Sequence, residues 1–456
     1  NDDLQFSKNE TAKKTIEHII QQQELSSDEK QYAEKNAYKI IDALEKVKIC
    51  DPAIGSGAFP MGLLQEICSI KELIAYETGN EWKPAETKLN IIQNSIYGVD
   101  IEKGAVDIAR LRFWLSLVVD EEKPKALPNL DYKIVVGDSL ISKFDGECIE
   151  IHWEIKENTQ TDIFGNENLQ KRKQLLLTLT EKQRKYFDPT NKNKKNLALE
   201  IRNLKIDVLI NQLELMVKSE GLEQAPVKTN FKDNKKFVAA QELYQKTQGW
   251  LNTINKLKHL KNSPPEQKAN GGFNHFDWKL DFPEVLNPYL VSDKSKRGFD
   301  IVIGNPPYIQ LQKDGGKLAQ MYEARNFQTF ARTGDIYTLF YEKGIQLLKP
   351  KGVLCFITSN KWMRAGYGEK LRSFFTQYNP LLLIDLGPKV FENATVDTNI
   401  LIVQNSPNTN PLPAVTYTDK NKTIETTLKE QSVILNKLSK DAWFIGSSAE
   451  QRLKEK

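Results

Sequence analysis

The chain reads as α/β: a doubly wound, mostly parallel seven-stranded sheet, broken once by a helical insertion and preceded by an N-terminal helical segment. Residues 47–145 alternate between short apolar runs and helix-length stretches, the order that parallel strands with crossover helices require. Apolar runs of strand length resume at 299–305 and continue to 405. Between these two blocks, residues 151–270 turn rich in Lys, Asn, Gln and Glu and lose the alternation.

Taken in order, residues 1–46 are polar, with Ile16, Ile19, Ile20, Ile40, Ile41 and Leu44 at roughly helical spacing. The first half of the sheet domain, 47–150, runs strand (VKICD), glycine turn, helix (PMGLLQEICSI), strand (SIYGVD), helix (IEKGAVDIARLRFWLSLVV), strand (YKIVVGD). The insertion, 151–270, carries long helical stretches in which Leu197, Ile201, Leu204 and Val208 mark a packing face. The second half, 271–405, supplies FDIVIGN, the helix DIYTLFYEKGIQLLK, and the strands GVLCFIT, LLLIDLG and TNILIVQNS. Residues 406–456 are too mixed to assign and are set apart as a C-terminal extension.

Composition narrows the function classes. A formal charge of +4 on 456 residues does not announce a nucleic-acid partner, so any basic surface must be local. No stretch of about 18 apolar residues suggests a membrane span. Cys50, Cys68, Cys148 and Cys355 are far apart and form no C-x-x-C pair, which argues against a zinc site or a disulfide framework and suits a reducing cytoplasm. The chain starts at Asn1 rather than methionine, as expected of a piece of something larger.

Two motifs carry chemistry. In ICDPAIGSGAFPMG, Asp51 ends a strand, Gly55 and Gly57 make a tight turn, and Pro60 suits the start of a helix. The third glycine of the dinucleotide fingerprint is missing, so a nucleoside cofactor fits better than a pyrophosphate one. Asp100 and Asp138 also end strands, and ligands of open sheets bind beyond the strands' carboxyl ends. A carboxylate after the second strand can accept ribose hydroxyls, and Asp138 can accept from an amino group on an adenine ring. Either aspartate alone reads first as a helix N-cap, and it is together with Asp51 and the glycine turn that they point to a cofactor rim.

The second motif, Asn305-Pro306-Pro307-Tyr308, comes directly after an apolar strand. Two prolines would end any strand, but Asn before them and Tyr after them is more demanding. An exocyclic aryl amine is a poor nucleophile because its lone pair is delocalised into the ring. Acceptors holding its hydrogens, the Asn305 side-chain oxygen and the Pro306 carbonyl, would localise that lone pair for an in-line displacement that needs positioning more than a strong base.

In this order, DPAIGSGAF, YGVD, GDS and NPPY resemble the gamma class of amino-methyltransferases, which act on adenine N6. They resemble more closely the methyltransferase portion of type IIG restriction-modification enzymes. The likeness covers roughly 47–145 and 275–405, including HFDWKLDFPEV, GDIYTLFYEKGIQLLKPKG, ITSNKWMRAGYGEKLR and VFENATVDTNILIV. It implies S-adenosylmethionine as cofactor, double-stranded DNA as partner, and a target base swung out of the helix. Asp51, Ala53, Gly55 and Gly57 match the cofactor loop, Asp100 with Ile101 the ribose side, and Asp138 with Ser139 the adenine side. Asn305, Pro306 and Tyr308 match the catalytic motif, Tyr308 stacking on the flipped base and Phe391 on its other face. Ile54 stands where this class often has Cys, and the upstream Y-T-P motif is absent from 1–46. The nuclease and target-recognition domains that relatives carry are expected beyond the chain ends.

Other readings remain open on the sequence alone. The basic runs QKRKQ, EKQRK and NKNKK, with Lys256, Lys258 and Lys261, suit either DNA phosphates or solvated helix faces. Glu154-Ile155-Lys156 has the E-x-K form of metal-dependent nucleases. A protein glutamine methyltransferase also uses NPPY, although those proteins are compact and here Asp51 and Asn305 lie far apart. N4-cytosine enzymes more often have Ser in place of Asn305. A scaffold that kept the fold without the activity is the remaining alternative.

Overall fold

A computed structural model describes residues 10–121, 126, 128–155, 165–263, 273–388, 390–391, 396–409, 411–419, 421–446 and 450. The chain divides into two compact units: residues 1–125, 133–140 and 298–456 form the first, and residues 126–132 and 141–297 the second. Among the described residues no helix is long and apolar enough to cross a membrane.

Helices α1 (Glu10–Ile20) and α2 (Ser27–Lys46) open the first unit. The start of α2 is fixed by Glu29, whose carboxylate accepts the Ser26 backbone N–H at 2.8 Å. Ile19, Ala33, Ala37 and Ile40 then pack with Ile70 and Ile74 of the next helix. The sheet begins with β1 (Ile49–Asp51), α3 (Ala58–Glu77), α4 (Pro84–Ser95), β2 (Ile96–Asp100), α5 (Lys103–Val118) and β3 (Ile134–Val136).

The second unit holds a two-stranded ribbon, β4 (Lys143–Phe144) and β5 (Glu147–Cys148). Three long helices come next, α6 (Gly165–Phe187), α7 (Lys194–Glu220) and α8 (Asn234–Asn262), then two short ones, α9 (Trp278–Asp281) and α10 (Pro283–Leu286). The face read from spacing is a packing face: Leu197, Ile201 and Val208 are buried in this unit's core with Leu176, Leu213 and Leu257. The compositional boundaries at 151 and 270 fall inside the unit, which takes in HFDWKLDFPEV as well. Phe276, Trp278 and Phe282 stack edge to face there, and Leu280 is fully buried. Composition misses this because the segment is apolar and aromatic while the helices around it are lysine-rich.

The first unit resumes with β6 (Phe299–Gly304), α11 (Lys317–Glu323), α12 (Tyr337–Leu347), β7 (Leu348–Ser359), α13 (Glu369–Phe375), β8 (Asn379–Gly387) and β9 (Thr398–Gln404). It closes with β10 (Leu412–Thr416), α14 (Ile424–Gln431) and β11 (Val433–Leu435). The sheet order is β11-β10-β8-β9-β7-β6-β1-β2-β3. All seven expected strands are present and the sheet is dominated by parallel pairs, with β9 antiparallel to both of its neighbours. The expected count is corrected from seven to nine. β10 pairs parallel with β8, and β11 antiparallel with β10, both drawn from the stretch set apart as an extension. The prolines at 407, 411 and 413 interrupt any alternation there, so the strand is legible only through its partner. Trp443 packs edge to face on Trp362 at 5.2 Å, binding the stretch after β11 to the same unit.

The second unit's core contains an ion pair between Lys205 and Asp281, 2.5 Å apart and nearly free of solvent. Removing one partner strands the other charge. Asp281→Ala is expected to destabilise this unit by roughly 3 kcal/mol, read as an earlier transition in a urea melt.

Candidate functional site

The carboxyl ends of β1, β2 and β6 carry the polar residues that the two motifs supply. Asp51 ends β1 with 1% of its surface exposed. Its Oδ1 accepts the Ala53 N–H at 3.0 Å, and its Oδ2 is buried without a partner. Burial pushes this carboxyl up to about 8, a rise opposed by the Ala53 N–H and reinforced by the charge of Asp100.

Residues 52–57 form a loop stitched to β2. Ile54 N–H donates to the Val99 carbonyl at 3.0 Å, Gly57 N–H to the Ile54 carbonyl at 2.8 Å, and Gly55 N–H to Asp100 Oδ2 at 2.8 Å. Gly57 caps α3 in the left-handed region with φ 82°, where an added Cβ would also stand 3.2 Å from the Ala109 Cβ. Ile54 is buried, and its side chain occupies the space over Gly98, so it acts through packing. Asp100 is half-buried and also accepts the Glu102 N–H at 2.9 Å. It therefore fixes the loop while each carboxylate oxygen keeps a second acceptor site. Ser139 donates to the Pro52 carbonyl at 2.5 Å, and Asp138 Oδ1 accepts the Leu140 N–H at 3.1 Å. Ile101, beside Asp100, is 64% exposed.

β6 lies parallel to β1 and next to it, with Ile49 opposite Ile301. Its last residue, Gly304, lies so close to Asp51 that an added Cβ would sit 2.5 Å from Oδ1. Asn305 comes at once after it. The Tyr308 hydroxyl donates to Asn305 Oδ1 at 2.8 Å and lies 3.4 Å from the Ile357 carbonyl. Burial holds the phenol well above its ordinary value, so it stays protonated and acts as a donor. The Tyr308 ring meets Tyr337 edge to face, with centroids 6.0 Å apart. Pro306 is buried. Phe391 is half-buried against Ile357, Ile384, Leu386 and Val415, a cluster that also receives Phe59 from the first turn of α3.

Sequence reading missed Gly304, Asp335 and Tyr337. Asp335 Oδ1 accepts the Ile309 N–H at 2.8 Å. The signal was present in GDIY, where an aspartate before a helix reads as an ordinary cap.

The rival sites fare differently. Glu154 is held by Arg297 at 2.6 Å and Lys279 at 3.7 Å, so its carboxylate is engaged by cations, and Lys156 lies outside the described residues. Among the described residues no group of three or more His, Cys, Asp or Glu is placed to hold a metal. In the basic insertion, Lys182, Lys185, Lys256, Lys258 and Lys261 pair with Glu200, Glu181, Asp145, Glu214 and Asp207, and Arg172 is buried. These lysines are answered within the protein, so a phosphate track would rest on the other cations of the runs, Lys171, Lys173, Arg184, Lys192, Lys194 and Lys195.

Residues 94–391 match the family of Eco57I restriction-modification methylases, and the chain belongs to that family. A Methanocaldococcus jannaschii protein assigned as a type II restriction enzyme and methyltransferase is 30% identical over 383 residues, covering 80% of this chain and 30% of its own. The Escherichia coli type II restriction enzyme and methyltransferase RM.Eco57I is 32% identical over 123 residues, 26% of this chain and 12% of its own. The chain thus spans less than a third of the length of these curated relatives. The type IIL restriction-modification enzyme MmeI, solved in complex with DNA, aligns over 88% of this chain and 36% of its own, with 10% identity and a TM-score of 0.41.

Asp51 leaves a pH signature. The unfolded chain releases this proton near the ordinary 3.8, the folded chain only near 8. Its contribution to stability is therefore full at low pH and is lost as pH rises through about 8. Asp51→Asn is expected to remove that decline, so melting temperatures measured at pH 5 and pH 8 should differ less in the variant than in the parent.

Proposed function

We propose that this chain transfers the methyl group of S-adenosylmethionine to N6 of adenine in double-stranded DNA, as the methylating part of a restriction-modification system. The observation that carries the reading is the contact of Gly304 with Asp51, which sets the Asn305 motif one strand away from the glycine loop, on adjacent parallel strands. Membership of a restriction-modification methylase family favours DNA over a protein glutamine as substrate.

The cofactor fits the residues present. S-adenosylmethionine is cationic, and the buried Asp51 Oδ2 lacks a donor. Asp100 retains acceptor capacity for ribose hydroxyls, with the exposed Ile101 beside it as an apolar surface for a ring. The bound cofactor supplies an electrophilic methyl on sulfur.

The chain's own residues then prepare the nucleophile. Asn305 Oδ1 has two lone pairs, of which the Tyr308 hydroxyl takes one. The other accepts one N6 hydrogen of adenine, and the Pro306 carbonyl accepts the second. Held this way, the N6 lone pair would point outward for in-line attack on that methyl, with the sulfur leaving as the neutral thioether and the extra N6 proton passing to solvent. Tyr308 and Phe391 flank the base, which has to leave the duplex to reach this end of the sheet.

Asn305→Ala is expected to lower methyl transfer by on the order of 10²–10³-fold while S-adenosylmethionine still binds. Asp100→Ala should weaken that binding itself. The measurements are calorimetric titration of the cofactor and transfer of labelled methyl to unmethylated genomic DNA, with nucleoside analysis of the product. Label on cytosine or on protein alone, or equal loss of binding and transfer in the Asn305 variant, would sink the proposal.

A further inference from the structure

We propose that Asp335 is a positioning residue for the Asn305–Tyr308 motif, holding it from the side opposite the sheet strand that delivers it. This inference rests on the methyl-transfer reading of that motif.

Two prolines leave the tetrapeptide 305–308 with few backbone donors of its own, so its position depends on how residues 309–311 are anchored. Those three residues are pinned to a single segment. Asp335 Oδ1 accepts the Ile309 N–H at 2.8 Å, the Ile336 N–H donates to the Ile309 carbonyl at 2.9 Å, and the Leu311 N–H donates to the Gly334 carbonyl at 3.0 Å. Gln310 and Asp335 form an antiparallel bridge between these bonds.

The same segment also holds the aromatic ring. Tyr337, fully buried at the start of α12, presents itself edge to face to Tyr308, and its hydroxyl is fixed by the Tyr367 hydroxyl at 2.8 Å. Residues 334–337 thus grip the backbone just after Tyr308 and the ring of Tyr308 itself. Tyr308 in turn passes its position to Asn305 through the 2.8 Å hydroxyl bond.

An aspartate at a helix start is ordinarily a cap, accepting N–H groups from its own first turn. The bond of the Asp335 side chain goes elsewhere, to the Ile309 N–H 26 residues back, while the Ile336 N–H is spent on the Ile309 carbonyl. A cap alone has no use for that bond. Nor does it require a negative charge, since an amide oxygen in the same place accepts the same N–H. A misplacement of about 1 Å in the reacting geometry costs on the order of 10²-fold, and the loss of the Ile309 bond frees the motif by that order.

The test compares Asp335→Ala with Asp335→Asn in the full chain. Expected for Asp335→Ala is a fall in kcat of about 100-fold, with dissociation constants for S-adenosylmethionine and DNA unchanged and faster hydrogen exchange at Ile309 and Gln310. Asp335→Asn should recover kcat to within about tenfold, about 1.4 kcal/mol, and restore the slow exchange. Loss of cofactor binding together with kcat would make Asp335 a stabilising cap and overturn the proposal. So would an Asn variant as impaired as the Ala variant, or unchanged exchange at Ile309. If the parent chain methylates no DNA, the function reading fails instead, and hydrogen exchange still decides whether Asp335 restrains the loop.

Discussion

One close approach organises this protein: the carboxylate of Asp51 against the bare backbone of Gly304. β1 and β6 are parallel neighbours, so their ends are already about 4.8 Å apart by sheet geometry. A side chain at 304 would collide with the carboxylate, and glycine lets it fill the gap. The arrangement has a cost, because a buried carboxylate with one oxygen unpaired is unfavourably placed without a cation nearby. Both flanking loops start from this fixed point. The glycine loop is then tied down by bonds to Val99 and Asp100, and the proline motif by bonds to Asp335 and Gly334.

The carboxylates at the strand ends consequently do two jobs. Asp100 holds Gly55 and Glu102 in place while keeping acceptor sites to offer. Reading such a residue as either structural or functional sets up a false choice. The same hydrogen bonds that shape the loop orient the lone pairs that remain. Ser139 adds a further tie to the same loop, buried and donating to the Pro52 carbonyl.

Much of this was legible in the sequence because it rests on local signals. Each of the seven strands ends in a polar or glycine break, and the motif residues sit at those breaks. What escaped was non-local. β10 is a strand because β8 pairs with it, and its own prolines conceal it. HFDWKLDFPEV belongs to the second unit because Leu280 and Asp281 find Lys205 and the helix core, partners far off in sequence. Asp335 went unread since the bond that distinguishes it reaches a backbone N–H, which carries no residue-type signature. The lysine-rich helices were ambiguous for the converse reason: their acidic partners lie on other turns and other helices, visible only once the chain is folded.

The reversed strand β9 has an implication for how this scaffold can vary. Running antiparallel between β7 and β8, it makes β8 and β9 an antiparallel pair joined at the same end of the sheet as Asn305. Phe391 lies in that connection. Such a connection can lengthen, shorten or change its residues without rethreading any strand, whereas the proline motif is fastened on two sides. If Phe391 flanks the target base as proposed, that side of the site can drift between descendants while the Asn305 side stays put, an asymmetry that would let a lineage explore new substrates with its reacting atoms undisturbed.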